Sequence, residues 1–268
     1  TLRERMDGSC VLMRKSKCMV QSMKPVVCAI FPLGRMLQQG YSFAVYLYGH
    51  STNASALDTV VHEEYHGYSY RKAGFGEEAI YIGGKNDIYV RYNPTDVTIL
   101  PTSTWAETLP DSLRTFRFDT YAAAGSNASA NLSGPYGLLN EFTAYCWGMH
   151  NQLALFPYYK AQGNSMNVWK EFVNACGNDR QAYAEFRFWI LGYLDYMKTN
   201  HKDIYNHFMH NQNFLDAYIA VKDRFESQIS EFESRCDEIV SLAAADGISA
   251  SFSGEYFWFG SQGTSTNY

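Results

Sequence analysis

Apolar and polar positions change their period twice along this chain. Residues 41–50, Tyr-Ser-Phe-Ala-Val-Tyr-Leu-Tyr-Gly-His, are rich in aromatic and β-branched side chains and close on glycine and histidine, which predicts a strand. Ser55 or Asp58 can cap a helix that runs to about Lys72, with Gly74 and Gly76 ending it. Two more strands are predicted between 79 and 100. Ala-Ile-Tyr-Ile leads into a turn at Gly83-Gly84-Lys85-Asn86, and Asp-Ile-Tyr-Val-Arg-Tyr follows. Residues 101–135 read as loop, ending in a Ser/Asn/Gly-rich stretch up to Gly134-Pro135. Helical periodicity then takes over. It predicts helices over about 136–155, 167–175, 180–199, 202–209 and 212–245; in the last, Phe225, Ile229 and Phe232 share one face among solvated charges. The tail from Gly247 returns to strand and Gly-rich loop around Tyr256-Phe257-Trp258-Phe259. These residues suit the strand that closes a core, and the rival role is a platform on which a substrate stacks. The expectation is an α+β protein in two lobes, with residues 1–135 β-containing and 136–268 mainly helical.

Composition narrows the class. With 268 residues, 46% of them apolar and 18% charged, the chain can bury a sizeable core, which excludes a disordered or low-complexity protein. The net charge of −5 is unevenly spread: residues 1–35 form a basic arm of net +5, and the rest carries −10. An acidic body argues against nucleic acid as a partner. No stretch approaches the roughly 20 apolar residues of a membrane-spanning helix. Six cysteines show no Cys-x-x-Cys spacing, though a disulfide within Cys10, Cys18 and Cys28 is open. Asn53, Asn127 and Asn131 stand in glycosylation sequons. Twenty-one tyrosines suggest surfaces half apolar and half wet. With a start at Thr1, this suits a secreted, cell-surface or periplasmic protein.

The first helix carries His62-Glu63-Glu64-Tyr65-His66, an HExxH string. Residues i and i+4 share a helix face, so both imidazoles can point at one ion, and Glu63 can reach a water at that ion's open position. Zinc held this way acidifies water and polarises a carbonyl while the carboxylate takes the proton. Chance occurrence in a chain of this histidine and glutamate content is roughly 0.01.

These residues resemble the active-site motif of the zincin metallopeptidases. The resemblance implies a twisted sheet with the HExxH helix beneath it in an N-terminal lobe, a mainly helical second lobe supplying the third ligand, a zinc cofactor and a peptide or protein substrate. Glu64 departs from the uncharged middle positions usual in zincins, which suits a place at solvent or at a cleft rim. Ser69 and Lys72 stand where a metzincin needs glycine and a ligand, which excludes that subclass. Asn140-Glu141-Phe-Thr-Ala144 resembles the NExxA pattern of the gluzincins and makes Glu141 the candidate third ligand beside His62 and His66, with Glu63 as general base. The gap of 75 residues from His66 to Glu141 is longer than in compact members; Glu77 and Glu78 are nearer rivals, and Asp87 a weaker one. Tyr145, one turn after Glu141, is the candidate donor to the oxyanion, with Tyr136 and His150 as alternatives. Asp58 or Asn140 is the candidate support for the histidine rings. His201, His207 and His210 read as surface polar residues rather than a second metal site. A competing reading is a non-catalytic surface protein that binds a glycan or a protein through its aromatic clusters and carries an inert HExxH.

Overall fold

The computed structural model describes residues 57–83, 88–96 and 98–266, with the backbone of Ala56 and of a short ladder pairing Met13–Arg14 (β1) with Lys17–Cys18 (β2). The predicted strand at 41–50, the Gly84–Asn86 turn, Asp87, Asn53, the three N-terminal cysteines as side chains and the rest of the basic arm lie outside the described residues.

The chain is a mixture of helix and strand in which helix dominates, with small antiparallel sheets. Helix α1 (Ala56–Tyr70) is followed by a hairpin of β3 (Glu78–Gly83) and β4 (Ile88–Tyr92), in which Ile80 faces Val90. The stretch from 98 to 134 is mostly irregular, as its composition predicts, but it contains a 3₁₀ turn (Asp111–Leu113) and three single-turn α-helices: α2 (Ser103–Ala106), α3 (Phe118–Tyr121) and α4 (Ser129–Leu132). Then come α5 (Pro135–Ala154), α6 (Phe156–Ala161), α7 (Met166–Asn200), α8 (Lys202–Met209) and α9 (Gln212–Ala245). A meander of β5 (Ala250–Phe252), β6 (Tyr256–Phe259) and β7 (Gln262–Ser265) closes the chain.

The last helix begins where its cap allows. The Asn211 side chain accepts the Phe214 backbone N–H at 3.1 Å, satisfying one of the free donors of the first turn. The predicted break between 175 and 180 is absent, and α7 runs unbroken for 35 residues. Gly177 there does not end the helix. It admits the C-terminal strand, since a Cβ at this position would sit 2.5 Å from the Thr266 carbonyl oxygen.

Helix α5 is the central element and is buried along most of its length. Leu138, Leu139, Phe142, Cys146, Met149 and Leu153 join one apolar core with Ile80, Ile82 and Val90 of the hairpin and with residues of α7, α9 and β6. That core is continuous across position 135. A smaller apolar cluster, Val60, Val61 and Tyr65 against Ala144 and Trp147, fixes α1 to α5. One turn after Tyr65, Ser69 Oγ accepts the Tyr81 N–H at 3.1 Å and ties the helix to β3. The C-terminal aromatic run divides by the two-residue period of a strand: Phe257 and Phe259 point into the core, whereas Tyr256 and Trp258 are 49% and 47% exposed.

Candidate metal centre

Two helices build the site. His62 and His66 lie one turn apart on α1, and Asn140 and Glu141 are adjacent on α5. Asp58 lies against Gly148, the His62 ring against Tyr145, and His66 against Asn140, so the helices run antiparallel at this seam. The Val61–Tyr65–Ala144–Trp147 cluster holds the seam shut.

Three ligand atoms converge there. Glu141 Oε2 is 3.1 Å from His62 Nε2 and 3.4 Å from His66 Nε2, and the two nitrogens are 3.1 Å apart. Donors at about 2.1 Å from one divalent ion are separated by about 3.0 Å in octahedral and about 3.4 Å in tetrahedral geometry. The observed spacings fall in that interval, so the residues fit a single ion. The side chains of His62, His66 and Glu141 are mostly buried, and each keeps some exposure, at 11%, 13% and 9%. Among the described residues no other group of three histidine, cysteine or acidic side chains gathers in this way.

The surroundings set the ligands' chemistry. His66 Nδ1 lies 3.0 Å from Asn140 Oδ1; donation of the Nδ1 proton to that oxygen leaves the Nε2 lone pair for the ion. Burial pushes the Glu141 carboxyl up, but the hydrogen bonds and charge of His62 and His66 outweigh it and hold the group down at about 2. For His66, burial disfavours the charged ring, yet the bond and charge of Glu141, the Asn140 bond and nearby Glu63 raise it above the ordinary histidine value.

Glu63 is exposed beside the pair, and Glu64 is half-buried. Burial raises the Glu64 carboxyl and nearby Arg71 opposes it, which fits a rim position. The Tyr145 ring packs edge-on against His62 at 4.5 Å between centroids. Its hydroxyl oxygen accepts from Arg117 Nε at 3.2 Å and lies 3.3 Å from the Tyr121 hydroxyl. Arg117 is itself buried, paired with Glu185 and bonded to the Asn178 carbonyl at 3.0 Å.

The other candidates lie elsewhere. Glu78 accepts from the Tyr92 hydroxyl, and Glu77 is exposed beside Gly74; neither joins the histidines. Tyr136 stacks on Tyr92 and bonds His207 Nε2 at 2.8 Å, and His150 packs against Trp147. Of the two residues that could support the histidine rings, Asn140 is bonded to His66, whereas Asp58 Oδ1 has no hydrogen-bond partner. Asn131 is buried, with its amide bonded to Ser126 O and Ser103 N, so that sequon is not an accessible glycosylation site.

Sequence reasoning missed Arg117, Tyr121 and Tyr70. The Tyr70 ring stacks on His66 at 6.3 Å and 19°, and its i+4 spacing from His66 was the available signal. Arg117 and Tyr121 stand in the irregular stretch, where no periodicity marks them. A groove of about 750 Å³ lies between α7 and α9, lined by Arg187, Phe188, Leu191 and Glu226 among others, and contains none of the metal group. No helix among the described residues is long and apolar enough to cross a membrane. In comparisons with known proteins, no family model, no curated protein and no solved structure matches this chain.

Proposed function

We propose that the protein is a zinc-dependent, gluzincin-like peptidase in which His62, His66 and Glu141 bind the metal and Glu63 is the general base. One observation carries this reading: Nε2 of both HExxH histidines and Oε2 of the NExxA glutamate converge on one point, beside an exposed Glu63. Two histidines and one carboxylate also suit non-haem iron. Zinc is favoured because the residue after the first ligand is a glutamate, which a hydrolase needs and iron ligation does not.

A zinc ion held there supplies Lewis acidity toward water and a peptide carbonyl. Glu63 takes a proton from the attacking water and passes it to the leaving amine. Arg117 donates into the Tyr145 oxygen, which leaves the phenolic proton for an acceptor. That makes Tyr145 the donor to the developing oxyanion. Its ring meanwhile fixes His62. The zincin lobes, with the substrate between them, belong to the same proposal.

Metal analysis tests it. Purified protein is expected to carry about one zinc per chain, and the His62→Ala/His66→Ala double variant none. Iron in place of zinc, or metal retained by the double variant, overturns the reading. Asn140→Ala is expected to weaken zinc binding by about 10–100-fold, since the ring it fixes is then free to turn; competition with a chelator of known affinity measures this.

A second reading is favoured by the outward-facing Tyr256 and Trp258 of β6: a surface protein that binds a glycan or protein partner, with the metal group inert. Peptide hydrolysis that depends on Glu63 excludes inertness.

A further inference from the structure

Behind the metal group, α1, α5 and α7 bring two carboxylates together in the protein interior. Asp58 stands four residues before His62 on α1, and Asp179 is in the middle of α7. They meet over Gly148 of α5: a Cβ at that glycine would lie 2.3 Å from Asp58 Oδ1 and 3.4 Å from Asp179 Oδ2. Asp179 is 0% exposed, and neither of its oxygens has a hydrogen-bond donor; Asp58 Oδ1 has none either.

The groups facing this pair cannot neutralise it. Arg117 is the nearby cation, but its guanidinium is committed to Glu185, Asn178 and Tyr145. Tyr159 of α6, Cys146 of α5 and Cys176 of α7 also lie within electrostatic reach, and burial raises all three, so they add no positive charge. Asp58 is half-buried as a residue, but its Oδ1 is buried without a donor and Asp179 has none at either oxygen. Two ionised carboxylates so placed are disfavoured, and one proton between them both halves the charge and creates the missing donor.

We propose that Asp58 and Asp179 share a single proton, forming a carboxyl–carboxylate hydrogen bond that clamps the metal-binding helix onto α7 and loosens when the proton is lost at alkaline pH. The inference does not rest on the metal reading, because the pair lies outside the ligand set and exists in metal-free protein.

Burial raises both groups above the ordinary aspartate range, with Arg117 opposing, and the mutual charge adds to the rise at Asp179. Through the interval above the unfolded aspartate value, the folded protein holds a proton that the unfolded chain has released, so stability falls as pH rises. For Asp58 that interval runs from its ordinary value of 3.8 to about 7.

The test is the thermal midpoint of chelator-treated protein from pH 5 to 9, compared with Asp179→Asn. Asparagine imitates the neutral acid, donates to Asp58 and does not titrate. The difference between the two profiles also cancels His66, which titrates in both. Across this range wild type is expected to lose about 6 °C relative to Asp179→Asn, which overtakes it at alkaline pH. A protonated-carboxyl stretch in the infrared spectrum at neutral pH, weakened in Asp179→Asn and lost in Asp58→Asn/Asp179→Asn, is the second expected result. Should Asp179→Asn fail to fold, Asp58→Asn supplies the same comparison from the other side. Parallel profiles, or an infrared spectrum without the carboxyl band, overturn the proposal. Because the protein is metal-free throughout, these outcomes are independent of whether it binds zinc.

Discussion

Glu63→Gln retains the bound metal and lowers peptide turnover by about two to four orders of magnitude. The substitution keeps the size and hydrogen-bonding reach of the side chain and removes only its capacity to accept a proton. Glu63 is exposed and is not one of the three converging donors, so its loss leaves the donor set of His62, His66 and Glu141 as it was. The measurement is paired: metal content by elemental analysis and kcat on a generic peptide substrate. Metal retained with activity lost assigns the base. Full activity in Glu63→Gln removes Glu63 from the mechanism, and metal lost together with activity places it among the ligands instead.

Arg117→Met destabilises the fold by about 3–5 kcal/mol. Arg117 and Glu185 are each 4% exposed, so solvent does little to soften the loss. Methionine keeps much of the volume but leaves Glu185 charged and buried. It also strips a donor from Asn178 and from Tyr145, and takes away the positive charge that opposes the rise at Asp58 and Asp179. Denaturant unfolding reads the change as a lower midpoint. A second readout separates packing from charge: Arg117→Lys is expected to recover part of the loss, because it restores the cation without the fork of donors. If Met and Lys variants both unfold like wild type, the buried network is not what holds this part of the molecule.

Much of the architecture was legible from local patterns. Helices α8 and α9 follow the predicted bounds, and α1, α5 and the β3–β4 hairpin differ by a few residues at most. These are the segments where the apolar period is strongest, and the structure adds the Asn211 cap at the start of α9. Where a local signal pointed one way and a distant contact another, the contact won. The sequence pattern breaks between 175 and 180, yet Gly177 packs against Thr266 and a 35-residue helix passes through. Asn131 reads as a sequon until its amide is taken by Ser126 and Ser103. The aromatic tail could not be assigned wholly to core or to surface because a strand sends alternate residues each way, and the structure divides it accordingly.

The candidate site shows the same division. The shared face is readable from the chain alone: His66 follows His62 by four positions, and that spacing aligns the rings whatever else the chain does. The sequence also marked Glu141, through an Asn-Glu pair at the start of a strong helix. What it left open was which carboxylate, among several at suitable distances along the chain, meets those rings. That choice depends on the crossing of α1 and α5, which is set by Val61, Tyr65, Ala144 and Trp147 packing together and by Gly148 leaving room for the Asp58 side chain. The Asp58–Asp179 meeting is a product of the same crossing and has no trace in the sequence, because its members lie 121 positions apart with nothing to link them. Spacing along a helix is fixed by 3.6 residues per turn and is readable from the chain alone. Proximity between helices is fixed by how side chains fill the space between them, and only the folded molecule decides it.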